Sequence, residues 1–300
     1  MPDEAYSEPP DDEQTSSVAP LAGLVLVSTP IGNLGDVTPR ARLTLAGSDL
    51  ILCEDTRHTA RLLTAIGVGV RTEPLHDHNE DARIAPVLAM LRAGRRIALV
   101  SDAGTPLVSD PGYRLVRAAI AEGLPVSAVP GPNAAVMALV LSGLPPQPFL
   151  FLGFPPPRSA ARRSAFGTLR SAERAGLSAT LIWHEAPHRL AETLVDMEAA
   201  FGPRAAAVAR ELTKHFEEVR RGTLAELSAH YGTHGPRGEI TVLVGPPEEA
   251  DQEDLDGQLT RALATHSVKD AAALVAAATG LPRKLVYARA LAMGRPDQST

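Results

Sequence analysis

The sequence predicts an α/β protein of two consecutive α/β domains with a small C-terminal helical appendix. Short, β-rich apolar runs alternate with amphipathic helical stretches. That alternation occurs twice, on either side of a Pro-rich junction near residues 145–157. Beyond an acidic linker, two further helical patterns are broken at Gly280 and Pro282.

Residues 1–20 are acidic, Pro-rich and without apolar periodicity, so a disordered tail is expected there. Residues 21–147 read as the first domain. Its strand runs are 24–28, 49–54, 96–101 and 125–130, near-continuously apolar as in a sheet covered on both faces. Between them, "TRHTARLLTAIG" and "PGYRLVRAAIAEG" have helical spacing, the second with Pro111 early and Gly123 at its end. Strands separated by helices imply βαβ units and a mostly parallel sheet. Residues 148–246 read as the second domain, with strands over 179–185, 205–211, 217–223 and 238–245 and helices over 158–175, 187–201 and 223–231. Residues 247–258 form the acidic linker and 259–300 a small helical region. A packing hairpin is the expected form of that region, and a helix-turn-helix is the alternative.

Composition narrows the function. Hydrophobic residues make up 44% of 300, enough for well-formed cores. One cysteine, Cys53, excludes an intramolecular disulfide and fits a reducing cytoplasm. The N-terminus lacks the pattern of a signal peptide, and the longest apolar run, Ala134 to Leu141, is far short of the ~20 residues of a membrane span. A cytoplasmic protein without a membrane partner is expected. The net charge of −6 is outweighed by two acidic runs, the N-terminal tail and Glu248 to Asp256, which carry −6 each. The rest is mildly basic, which permits a polyanion partner.

The stretch "SDAGTPLVSDPG", Ser101 to Gly112, follows a buried strand pattern and is too long for an ordinary turn. Comparable Gly-, Pro- and hydroxyl-rich loops follow the other strands: Ser28 to Asp36, Glu54 to Thr59 and Val129 to Ala135. Parallel sheets bind ligands beyond the carboxyl ends of their strands, and two domains in series leave a cleft for a cofactor. No phosphate-binding glycine motif, no G-x-S-x-G elbow and no Cys/His zinc cluster is present. "HDHN", His76 to Asn79, is expected to hydrogen-bond rather than bind a metal, so no metal site is expected. What remains is a ligand of little phosphate character, such as a sulfonium or adenosine compound.

In order and spacing, "TPIGNLGD", "CEDTRHTARLL", "LHDHNE", "LVSDAGTPLVSDPGYRLV", "VPGPNAA", "WHEAPHR", "ARELTKHFEE" and "GEITVLV" resemble the small-subunit ribosomal RNA cytidine 2′-O-methyltransferases of the tetrapyrrole-methylase superfamily. The match runs from about Leu24 to Gly245. The resemblance implies S-adenosylmethionine bent into the cleft, a homodimer, and 16S rRNA of the small ribosomal subunit, near the decoding centre, as substrate. It implies cofactor contacts from Pro30, Gly32, Asp102, Gly104, Thr105, Leu107, Val108, Asn133 and Ala134, with His184 and Glu185 closing over the adenosine side. This chain departs from the family where it has His184 in place of an aromatic, commonly Tyr, and Asn133 in place of Cys or Ser. The acidic tail lies outside the pattern.

Transfer to a ribose hydroxyl calls for a general base. Glu54, Asp55, Asp102, Glu185 and Glu211 are candidates, with Glu54 and Glu185 favoured as acids at strand ends. The alternative for each is pairing with Arg57, Arg189, Arg210 or Lys214. His188 and Arg189 suit phosphate or a structural role. For RNA phosphates, Pro157 to Arg174 offers Arg158, Arg162, Arg163 and Arg170, with Arg174, against one acid, Glu173; a solvated helix face is the alternative. DNA is excluded because it lacks the target hydroxyl. Two other functions fit: methylation of a tetrapyrrole or other small molecule, and non-catalytic RNA binding in ribosome assembly.

Overall fold

The computed structural model describes residues 22–247, 249–279 and 281–293. The expected disordered tail, and Gly280 as a helix break, lie outside the described residues. The chain divides into two compact units between Asn133 and Ala134.

The first unit is built on β1 (Leu24–Val27), β2 (Leu50–Cys53), β3 (Thr72–Pro74), β4 (Ile97–Leu99) and β5 (Val126–Val129). They form one sheet in the order β3-β2-β4-β1-β5, every neighbouring pair parallel. The short β3 has no apolar run and falls outside the sequence reading. Alternation along each strand splits the apolar residues between two cores. Leu24, Leu50, Leu52, Ile97 and Leu99 meet α3 (Glu80–Arg92) and α4 (Tyr113–Ala121) through Val87, Leu88, Leu91, Leu115 and Ala119. Val25, Val27, Ile51, Cys53 and Ala98 meet α1 (Pro39–Ala46) and α2 (Thr56–Ala65) through Ala41, Leu45 and Leu63. Cys53 is a buried free thiol.

Caps fix where these helices begin. Thr38 accepts from the Ala41 N–H with Pro39 in the first turn, and Asp55 accepts from Arg57 N–H. Pro111 lies before α4 rather than inside it, because Gly112, at φ 115°, is the capping residue. The buried Glu80 at the start of α3 accepts from Leu115 N–H and the Arg114 guanidinium, docking α4 onto α3.

The second unit opens with α5 (Ala134–Ser142), which packs on the second sheet and so draws the boundary ahead of the Pro-rich junction. That sheet, β6-β7-β10-β8-β9, comprises β6 (Phe149–Phe151), β7 (Thr180–Glu185), β8 (Ala205–Arg210), β9 (Glu218–Thr223) and β10 (Ile240–Val244). Only β6 and β7 pair in parallel. The short link from β8 to β9 has no room for a crossover helix, so the two form an antiparallel hairpin. The other face is covered by α6 (Ser159–Arg174), α7 (Leu190–Phe201) and α8 (Leu224–Thr233), around Phe166, Trp183, Leu194, Met197 and Phe201.

Where the sequence suggests a linker over 247–258, the chain forms α9 (Glu249–Leu263). With α10 (Val268–Thr279) and α11 (Arg283–Met293), α9 surrounds a small separate core including Leu259, Ala271, Val275, Val286 and Ala290. No described helix is long and apolar enough to cross a membrane.

A methyl group added at Gly112 would lie 2.7 Å from Leu99 and 2.9 Å from Leu107, at a left-handed φ. Gly112→Ala is expected to cost ~2–4 kcal/mol in urea unfolding. Gly94→Ala, also left-handed but in open space, should cost only ~1–2 kcal/mol.

Candidate active site

Because β1, β2, β4 and β5 run parallel, the loops that follow them gather at one edge of the first sheet. Hydrogen bonds then lock three of them together. Thr29 and Gly104 exchange backbone bonds of 2.9 and 3.1 Å, and the Thr29 hydroxyl donates to Ser101 O. The Thr105 hydroxyl donates to Pro132 O at 3.2 Å and accepts from the Asn133 amide at 3.4 Å. Gly104 approaches Ile31, and Gly131 sits against Ser28. Leu107 and Ser109 adopt left-handed φ values of 71° and 69°. Such strain in non-glycine residues costs ~1–3 kcal/mol each and persists where the surroundings over-determine the backbone.

Pro30, Gly32, Asp102, Gly104, Thr105, Leu107, Val108 and Asn133 thus share one edge. Ala134 begins α5 and belongs to the second unit.

Glu54 and Asp102 stand at this edge with an acid the sequence reading did not single out, Asp110. Burial, then the Glu54 charge, pushes Asp110 up to about 6; the Ser101 hydroxyl offsets this only in part. Partial burial, followed by the Asp102 and Asp77 charges, raises Glu54 above its ordinary value. The signal for Asp110 was the second Asp of "SDAGTPLVSDPG". Asp102 accepts from Asp55 N–H at 3.2 Å. Asp55 itself caps α2, and its bonds from the Arg57 guanidinium and N–H hold it at about 2, so it does not serve as a base. Glu211 is held low by Lys214, 2.8 Å away.

Glu185 is corrected from both its expected roles. It is buried, accepting from Ala186 N–H at 2.7 Å, the Thr193 hydroxyl at 2.5 Å and the Arg189 guanidinium at 3.2 Å. Arg189 also donates to Pro155 O, so it too is structural. Along β7, Trp183 and Glu185 face the helix-covered core while the intervening His184 faces the other way. The His184 ring lies edge-on to Phe151 at 5.0 Å and tilted to Phe154 at 5.7 Å, with Nδ1 3.1 Å from the Thr241 hydroxyl. Burial lowers its pKa and keeps the ring neutral. His184, Phe151 and Phe154 thus form one aromatic cluster.

Of the α6 arginines, Arg162 is corrected. It is 1% exposed and grips Asp196 at 2.6 Å, so it is withheld from solvent. The side chain of Arg170 is largely covered beside Glu173, which also pairs with the buried Arg204. Arg158 and Arg163 are exposed. In "HDHN", the Asn79 side chain closes a turn, accepting from His76 N–H and donating to Pro74 O. No group of three or more potential ligands able to hold a metal occurs among the described residues.

The fold has known counterparts. A diphthine synthase superposes with a TM-score of 0.57 at 14% identity, covering 74% of this chain and 89% of that one. The methyltransferase CobJ gives 0.54 at 20% identity, covering 75% and 95%. The family model for tetrapyrrole (corrin/porphyrin) methylases matches residues 23–228. A second model, the RsmI C-terminal HTH domain, matches residues 249–294, which favours the helix-turn-helix over the packing hairpin. Proteins named ribosomal RNA small subunit methyltransferase I are 47% identical in Mesorhizobium japonicum, covering 89% of this chain and 91% of the relative. The one from Micromonospora olivasterospora is also 47% identical, covering 88% and 85%, and that from Escherichia coli O157:H7 is 43% identical, covering 89% and 94%. The chain belongs to the tetrapyrrole methylases and, within them, to the ribosomal RNA small subunit methyltransferase I family, and is an S-adenosylmethionine-dependent methyltransferase.

Two predictions concern charge. Because folding raises the Asp110 pKa, its contribution to stability is complete below pH ~4 and is lost as the pH rises through about 6. Asp110→Asn should therefore match the native protein near pH 4 and exceed it by ~1–2 kcal/mol at pH 7.5, read by denaturant unfolding. Asp196→Ala, which leaves the buried Arg162 charge with only the exposed Glu192 carboxylate 3.8 Å away, should cost ~3–5 kcal/mol in the same measurement.

Proposed function

We propose that this chain methylates the ribose 2′-hydroxyl of a cytidine in 16S rRNA of the small ribosomal subunit. Support comes from the names of its relatives and from the strand-end edge of the first sheet. The observation that carries the reading is electrostatic. Glu54, raised by desolvation and the Asp102 and Asp77 charges, and Asp110, raised by burial and the Glu54 charge, stand with Asp102 among locked, small-residue loops. A cation is the ligand charge that relieves such a group.

These residues suit S-adenosylmethionine. Asp102 balances the positive charge, and Pro30, Gly32, Gly104, Thr105, Leu107, Val108 and Asn133 offer backbone and small side-chain contacts. Within the second unit, His184 lies with Phe151 and Phe154 in a neutral aromatic cluster. The bound cofactor supplies an electrophilic methyl group on sulfonium sulfur. The locked loops hold the reacting groups in line, and such positioning can lower a barrier by ~7–11 kcal/mol. Glu54 takes the hydroxyl proton as the oxygen attacks; its raised pKa makes it a better acceptor than an ordinary carboxylate.

The direct test uses methyl-labelled cofactor and small subunits from cells lacking the enzyme, with the label mapped by nuclease digestion and mass spectrometry. Label on a cytidine ribose is the expected result; label on a base, or none despite cofactor binding, would defeat the proposal. In the same assay Glu54→Gln should lower kcat by about 10²-fold or more while cofactor affinity stays within a few-fold. An unchanged kcat would remove Glu54 as the base.

A further inference from the structure

We propose that the first turn of α11 and the end of α6 form one docking surface for the phosphate backbone of rRNA. This rests on the rRNA reading above and gives that substrate a binding surface.

The inward face of α11 is set by Val286 and Ala290, one turn apart and buried in the small core of the C-terminal helices. Arg283, Lys284 and Tyr287, in its first turn and a half, are all exposed. Among the described residues, neither Arg283 nor Lys284 forms an ion pair. The charge on the other flank is compensated, since Arg289 holds Asp256 of α9 at 2.5 Å. Arg174, the last residue of α6, donates to Thr279 O at 3.4 Å, which places it beside the turn leading into α11. Three cations, Arg174, Arg283 and Lys284, and one tyrosine therefore come from two distant parts of the sequence to one end of the helical segment.

A phosphate backbone is the partner that matches. In helix-turn-helix domains the second helix of the motif meets nucleic acid through its N-terminal residues, and those positions of α11 are the basic ones. The deep, narrow major groove of A-form RNA excludes a helix, so base-edge reading is not expected. Arg and Lys track phosphates, and Tyr287 stacks on an unpaired base. The surface supplies affinity and leaves the choice of nucleotide to the active site.

The test uses the full chain. Arg283→Gln/Lys284→Gln, checked for an unchanged melting profile, is compared with Arg283→Lys/Lys284→Arg, and Tyr287→Ala with Tyr287→Phe. KM for small subunits, kcat, cofactor affinity and the salt dependence of subunit binding by filter retention are measured. The neutral pair should raise KM by ~10-fold or more and reduce the salt slope by about two, with kcat and cofactor affinity held within twofold. The charge-preserving pair should restore both, and Tyr287→Ala should weaken binding where Tyr287→Phe does not. Unchanged KM and salt slope in the neutral pair would overturn the proposal. Failure of the native protein to label or retain subunits would instead defeat the rRNA reading itself.

Discussion

Two hydrogen bonds between Thr29 and Gly104 join the first and fourth strand-end loops, and much of the first unit's chemistry depends on them. They are possible because β1 and β4 are parallel neighbours, so both loops leave the same edge side by side. They also require a residue that accepts φ 79° and leaves room for Ile31, which only glycine does without strain. From that bridge the path continues through Thr105 to Pro132 and Asn133. Three loops distant in sequence become one rigid wall, and the strained backbone at Leu107 and Ser109 is held by structure already fixed around it.

Rigidity bears on binding. A loop of this composition, free to move, would lose conformational entropy on closing over a ligand. One already tied through Thr29, Gly104 and Thr105 has met that cost during folding. Proline contributes in the same sense, since Pro30, Pro106, Pro111 and Pro132 restrict the unfolded chain as well as the folded one. The apolar cores on both faces of the sheet are what hold the wall in place.

The parallel sheet was legible because its central strands are apolar on both faces, and its loop-bearing edge because Gly, Pro and hydroxyl residues cluster where those strands end. β3 and β6 were not legible as strands: Thr72–Pro74 has no apolar pattern, and Phe149–Phe151 is hidden among prolines. The antiparallel pairing of the second sheet is a tertiary outcome, since β10 inserts between β7 and β8 from far along the chain. The helix over Glu249–Leu263 looked like a linker because charge density masks helix propensity. Arg162 looked like a phosphate contact for the opposite reason: the sequence shows a basic helix, while its acid, Asp196, lies on another helix.

The same reasoning separates the acids that hold the fold from those that equip the site. Glu80, Glu173, Glu185 and Asp196 are buried, and each is met by an arginine within 3.2 Å. A buried charge is tolerable only when paired and hydrogen-bonded, and these four satisfy that condition within the protein. Glu54, exposed at the end of β2, and the half-buried Asp110 have no such partner. Asp102 acts on both and Glu54 acts on Asp110, each raising the carboxyl it faces, and no ion pair reaches either among the described residues. Folding alone gains nothing from such an arrangement, because repulsion and desolvation both act against it. The arrangement is the one that the proposed cationic ligand and proton transfer would turn to use.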